Sequence, residues 1–404
     1  MKTKQTVTAI LFLLLLAGGV ALLLTGWNSG GNVKNLLKST LAAEGVSAKV
    51  ETLIDGAETA INEDLDRDHA FIETFGAIQL WMGRRVVQDV DPSSTVVKLS
   101  TGALTFVDLS ATYVDTAPHA EALADFADRL ETYGIPLLYV NAPQKIPRNS
   151  DLLPAGVTEY GNEVGDRLLE VLEARGVSAL DLRDAFEGSE ENYADWFFVT
   201  DHHWKPSAAF FAYQTLAPVL ETYGIHTEER WLDRDSYEIT TYEDWFLGSQ
   251  GKRVGSFYAG VDDIELWQPK EETSFTYDVD AYGIHRSGSW TESLLFPERL
   301  EPKDWFGGNP YTLYSGGDYP LATIVNQNNP EGGDLVLIRD SFACALTPFL
   351  AQSCHTLTTI DLRYFTGDLE ATIAGLDPDL VMVLYCTSTA RNDTMFVFSG
   401  DDTQ

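Results

Sequence analysis

The chain has 404 residues, of which 44% are hydrophobic, 11% aromatic and 22% charged. That composition belongs to a folded globular body and excludes a disordered, collagenous or many-span membrane protein. Lysine and arginine number 27 against 61 acidic residues, a net charge of −34. Such a body repels phosphate backbones and anionic lipid surfaces, because affinity for either rests on neutralising charge with Lys and Arg, so nucleic acid is excluded as a partner. Three cysteines cannot all pair and are too few for a disulfide scaffold.

Lys2 and Lys4 precede an uncharged stretch from Val7 to Trp27. Its 21 residues, in a helix, span about 30 Å, the thickness of a bilayer core. Lysines in front and no positive cluster close behind predict a single-span signal anchor over 1–27, with the body outside the cytoplasm. The run is long for a cleaved signal peptide and ends without a small-x-small site. Residues 28–94 read as a linker and helical segment. It holds a polar amphipathic stretch at 33–59 and a helix over 70–89 with apolar Phe71, Ile72, Phe75, Ile78, Leu80 and Val86.

From residue 95 the texture changes. Two β-rich runs flank Thr101-Gly102 and predict a hairpin. A βα alternation follows. Helical periods at 120–133 and 159–175 stop at Gly134 and Gly176, and each is followed by an apolar strand, 135–140 and 177–182. A third helix is read at 207–223, strands at 334–338, 357–360 and 380–385, and helices at 342–352 and 368–374. Strands that are apolar on every residue imply a parallel sheet covered on both faces. Residues 225–330 break the rhythm and read as a mostly irregular or β insertion rich in Trp and Tyr. Those aromatics either form a small core of their own or stack on sugar rings.

Reactive residue types stand at two strand ends, where sites in α/β sheets lie. One is Thr200-Asp201-His202-His203-Trp204-Lys205-Pro206 and the other is Arg339-Asp340-Ser341-Phe342. A serine entering a helix meets free amides able to stabilise an oxyanion, and it needs a base oriented by a carboxylate. Asp201 and His203 can supply both. Each residue also has a plainer reading, Asp201 and Ser341 as helix caps and the histidines as a metal site.

These stretches resemble the bacterial DHHW proteins, related to the SGNH-like O-acetyltransferases of alginate and other exopolysaccharides. The resemblance rests on Asp201-His-His-Trp204, on Ala142-Pro-Gln-Lys145 and on Gly248-Ser-Gln-Gly-Lys-Arg-Val-Gly255. It extends to Asp340-Ser-Phe342, Asp361-Leu-Arg-Tyr-Phe365 and Pro378-Asp-Leu-Val-Met-Val-Leu-Tyr385. It implies a flavodoxin-like, SGNH-hydrolase-type α/β domain over 95–404. In that domain Ser341 is the nucleophile, His203 its base and Asp201 the orienting carboxylate, an order that reverses ordinary SGNH hydrolases. Arg339 stands where the family has glycine, and no Gly-x-Asn-Asp block is visible. The Ser341 and Phe342 amides, Tyr385 and Arg363 are therefore the candidate oxyanion and substrate-binding groups, ahead of the Gly248-Ser249 turn. Lys145 is a further candidate for ligand binding. Cys344 is read as a core residue, and Cys354 and Cys386 as a possible pair.

The function expected is O-acetyl transfer, or O-acetyl ester hydrolysis, on a cell-surface or secreted polysaccharide. No cofactor is required, and a membrane partner that exports acetyl groups is the expected donor. The alternatives are a catalytically inactive glycan-binding or assembly protein and a metal-dependent hydrolase.

Overall fold

A computed structural model describes residues 69–398 continuously, with helix α1 (Asn32–Ala42) and scattered residues around it. The expected membrane anchor, apart from Leu13 and Gly18, lies outside the described residues. Among the described residues no helix is long and apolar enough to cross a membrane. The chain divides into two units, Met1–Gly83 with Val254–Tyr258, and Arg84–Arg253 with Ala259–Gln404.

In the first unit α2 (Ala70–Trp81) is shorter than expected, because the Met82 amide turns back to the Ile78 and Leu80 carbonyls. Its apolar residues are not a buried face: Phe71, Ile78, Leu80 and Trp81 are exposed, while Gly76 and Gln79 are buried. At Gly76 a Cβ would fall 1.7 Å from the Val254 carbonyl oxygen, so only glycine permits this approach.

The second unit opens with a three-stranded antiparallel sheet, β1 (Val86–Val87), β2 (Val96–Lys98) and β3 (Leu104–Phe106). β2 and β3 form the hairpin read around Gly102. Then come α3 (Ala117–Glu131), β4 (Leu137–Ala142), α4 (Gly161–Arg175), β5 (Ser178–Asp181) and α5 (Pro206–Glu221). α4 begins at Gly161 rather than 159 because the Glu159 carboxylate accepts the Gly161 amide. β6 (Tyr237–Phe246) and β7 (Asp262–Pro269) pair only with each other, and the short helix α6 (Ser249–Val254) lies between them. Apart from shorter helical turns, there follow β8 (Phe275–Val279), β9 (Ile284–Gly288), β10 (Leu321–Asn326), β11 (Gly333–Arg339), α7 (Ala343–Ser353), β12 (Cys354–Ile360), α8 (Leu369–Leu376) and β13 (Leu380–Cys386).

The main sheet has eight strands in the order β5-β4-β13-β11-β12-β10-β8-β9. The first five are parallel and the last three antiparallel. Residues 225–330, read as an irregular or β insertion, take the β form: their strands β8, β9 and β10 extend the main sheet, and β6 and β7 form a ribbon. In chain order the parallel strands read 2-1-5-3-4. Counted from β11, which leads to Ser341, and continued through β13 to β4, they read 2-1-3-4-5. That is the flavodoxin-like order, cyclically permuted. The permutation accounts for the carboxylate and histidine preceding the serine.

Alternation along each buried strand divides the core. Leu138, Val140, Leu335, Leu337, Met382 and Leu384 face the side covered by α5 and α7. Tyr139, Val336, Ile338, Val383 and Tyr385 face the side covered by α3, α4 and α8.

Candidate active site

Ser341 follows the carboxyl end of β11, and Asp201-His202-His203 lies in the loop ahead of α5. Packing brings these segments together. His203 Nδ1 lies 2.6 Å from Asp201 Oδ1, and His203 Nε2 lies 2.7 Å from Ser341 Oγ. A carboxylate only accepts, so Nδ1 carries the proton and donates it; Nε2 is left as the acceptor of the serine hydroxyl. Burial alone would raise the Asp201 carboxyl, but the His202 and His203 rings and the Ser249 amide outweigh it. They hold the group well below the usual carboxylate range.

The imidazole is fixed from every side. Tyr311 stacks on the His203 ring, with centroids 4.0 Å apart and planes 15° from parallel. The Tyr311 hydroxyl and Trp204 Nε1 both donate to the Phe342 carbonyl, at 3.0 and 2.8 Å, tying the histidine loop to the serine turn. Asp201 Oδ2 accepts the Ser249 amide at 2.7 Å, and Asp262 accepts both the Val199 and Thr200 amides at 2.7 Å. Sequence reasoning missed Tyr311 and Asp262 as parts of this frame. Tyr311 was legible only as one of the insertion's aromatics, and Asp262 carried no local signal. Trp231, Trp267, Trp290, Tyr311 and Tyr314 are all buried, so these members of the aromatic set form core rather than a sugar-stacking face.

Gly248 is required by proximity. A Cβ there would sit 2.2 Å from the Asp201 Cβ and 2.6 Å from the Thr200 carbonyl oxygen. Gly248→Ala is expected to push the Asp201 loop away from Ser341 and to slow acylation of that serine by about 100-fold. The check is the burst of nitrophenol released from p-nitrophenyl acetate.

Other expected site residues are placed elsewhere. Tyr385 points to the opposite face of the sheet, where its hydroxyl donates to the Met395 carbonyl. Arg363 is engaged by Asp361, at 2.9 Å from Nε, and by Asp318, at 3.0 Å. The Phe342 amide donates to Asp340 Oδ1 at 3.0 Å, so it is not free for an oxyanion. Asp340 Oδ2 accepts the Cys386 amide and the Thr389 hydroxyl, which makes this aspartate the clamp of the serine turn. Among the described residues, the Ser341 amide is the one of these four groups with no acceptor. Lys145 is buried and donates to the Leu104, Val199 and Asp201 carbonyls, so it braces the loop instead of meeting a ligand. The cysteines are all free and buried; Cys354 and Cys386 do not pair. Arg339, in the glycine position, is buried and bonded to Asp318 and to the Gly317 carbonyl at 2.7 Å.

Asp201, His202 and His203 each offer a ligand atom within 4.8 Å of the others. Both His203 nitrogens and both Asp201 oxygens are already hydrogen-bonded, however, and a cation there would have to displace the Ser341 contact.

The sheet and the serine turn define an α/β protein with a mostly parallel sheet and a histidine-paired serine beyond the carboxyl end of one of its parallel strands. Residues 110–241 match a family model described as SGNH hydrolase-like domain, acetyltransferase AlgX. In structure the chain is similar to PatB1 of Bacillus cereus, with a TM-score of 0.62 and 23% identity over 78% of this chain and 99% of that one. It is also similar to a DHHW family protein of Eubacterium siraeum, with a TM-score of 0.58 and 18% identity over 77% and 96%. PatB1 with a sulfonyl adduct aligns at a TM-score of 0.59, 23% identity and 78% and 99% coverage. No curated protein sequence matches the chain.

Proposed function

We propose that the protein is an O-acetyltransferase, or O-acetylesterase, acting on a cell-surface or secreted polysaccharide through an acetyl-serine at Ser341. The observation that carries this is the 2.7 Å contact of Ser341 Oγ with a histidine nitrogen whose partner nitrogen is held by a carboxylate. The serine hydroxyl gives its proton to His203 Nε2 as Oγ bonds to the acyl carbonyl carbon. The resulting oxyanion faces the Ser341 amide. His203 then returns the proton to the departing alkoxide, and acetyl-serine remains. A sugar hydroxyl, or water in an esterase, gives its proton to His203 and attacks the acetyl carbonyl, which restores Ser341. The acetyltransferase description of the matched family supports acyl transfer.

In this reading the stretch Val7–Trp27 anchors the protein and holds the catalytic body outside the cytoplasm. Acetyl donors do not circulate there, so a membrane-bound exporter supplies the group. The test is mass spectrometry after incubation with p-nitrophenyl acetate. One acetyl group is expected on the peptide containing Ser341, and none on the Ser341→Ala protein. A sulfonyl fluoride is expected to block the same serine, in line with the adduct reported for PatB1.

Two observations favour a second reading. The Phe342 amide is occupied and an arginine replaces the family's glycine, as in a glycan-binding protein that has lost its chemistry. A folded protein in which Ser341 takes up no acetyl group would establish that reading in place of the first.

A further inference from the structure

A cavity of about 200 Å³ opens at the carboxyl ends of β4, β11 and β13, beside the serine turn. This is the crevice at which the strand order reverses, where open α/β sheets take their ligands. Its walls include His202 and Phe342, the chain neighbours of His203 and Ser341, and Gln250 from α6.

Gln250 is fully buried, and neither its Oε1 nor its Nε2 has a hydrogen-bond partner. A buried amide with both ends unsatisfied is costly and calls for an explanation. An oxyanion would use Nε2 and leave Oε1 without a donor. Adjacent sugar hydroxyls, each both donor and acceptor, satisfy the two ends together. The His202 side chain is 44% exposed on the same cavity, and with Nδ1 engaged by Ser249 Oγ at 3.0 Å its Nε2 has no partner among the described residues. Phe106 and Phe342 supply apolar walls of the kind that pack against a sugar ring.

Lys145 is committed to three backbone carbonyls, and the Glu159 carboxylate stands on the same wall. Arg391 is then the one remaining cation among the described lining residues, and a net charge of −34 repels a polyuronate that would need several.

We propose that this cavity is the acceptor subsite and that it binds a neutral sugar unit through Gln250 and His202, to the exclusion of uronate glycans. The proposal rests on the acyl-transfer reading for the role of the sugar, whereas its test measures binding without chemistry. Calorimetric titrations would use neutral hexasaccharides (glucan, mannan, galactan and N-acetylglucosamine series) and hexauronates of the alginate and polygalacturonate type. At least one neutral member is expected to bind with one-to-one stoichiometry, and the uronates are not. Gln250→Met and His202→Ala are each expected to weaken that binding by about tenfold. Gln250→Met should at the same time raise Tm by about 2 °C or more, since it replaces two unsatisfied polar atoms with a side chain of similar size. His202→Ala also loses the Ser249 contact, so circular dichroism and Tm are read alongside its binding.

Binding of no neutral member, undiminished binding by both variants, or uronates bound as tightly as neutral sugars would each overturn the proposal. Neutral-sugar binding lost in these variants but retained in Ser341→Ala upholds the subsite even where Ser341 takes up no acetyl group. Acetylation of Ser341 without any neutral-sugar binding would leave the enzyme and remove the subsite.

Discussion

Asp201→Asn is expected to slow acylation of Ser341 by about 10⁴-fold while the protein stays folded. The carboxylate accepts from three donors. His203 Nδ1 and the His203 amide reach Oδ1, and the Ser249 amide reaches Oδ2. An asparagine must turn its NH₂ group toward one set of these donors. If it faces His203, the imidazole moves its proton to Nε2 and cannot receive the serine proton. If it faces Ser249, the α6 brace is lost and the loop loosens. The measurement is the rate of acetyl incorporation at Ser341, with far-ultraviolet circular dichroism to verify the fold.

The same variant has a defined pH signature. Asp201 is held below its ordinary value, so its contribution to stability is present above the unfolded carboxyl pKa of about 4 and is lost as pH falls through the lower folded value. The stability difference between wild type and Asp201→Asn should be constant from neutral pH down to about 4 and shrink below it. A difference that changed between pH 6 and 8 would show that the group titrates there and is not a fixed carboxylate.

Arg339→Ala is expected to cost about 3–5 kcal/mol of stability, read from the urea midpoint. Arg339 is buried and touches Asp318, the Gly317 carbonyl and Cys344 Sγ, the last at 3.2 Å. Burial alone would raise the Asp318 carboxyl, yet Arg339 and Arg363 together hold it below its ordinary value. Removing Arg339 leaves Asp318 with Arg363 as its remaining cation and opens a side-chain-sized cavity. Replacing Arg339 and Asp318 together with apolar residues of matching volume should recover most of the loss, because a buried pair contributes little beyond compensating its own desolvation. Recovery would identify Arg339 as a structural substitute for glycine; failure would show that the pair positions the serine turn in some further way.

Much of the domain was legible in the residues. Helix 161–175 with its stop at Gly176, and strands at 333–339 and 380–386, follow from periodicity and apolar runs, which are local properties of the chain. The placing of Tyr385 was open to the same reasoning. Its neighbours Leu384 and Cys386 face α5 and α7, so strict alternation turns Tyr385 the other way. The occupied Phe342 amide was harder to see, since Asp340 two residues earlier reads equally well as a cap or as part of a motif.

The sequence by itself determined the strands and helices of the alternating βα part, that the body is acidic, and which residue types stand at the end of β11 and in the loop before α5. Each of these depends on the period of the backbone or on covalent order, and neither needs a partner distant in the chain. Only the tertiary structure decided that Asp201-His203 meets Ser341 across 138 residues and that β13 inserts between β4 and β11. It likewise decided that Tyr311 from the aromatic segment stacks on the base. Those contacts are selected by which apolar faces bury one another and which buried polar groups find partners, and both are settled only when the whole sheet closes.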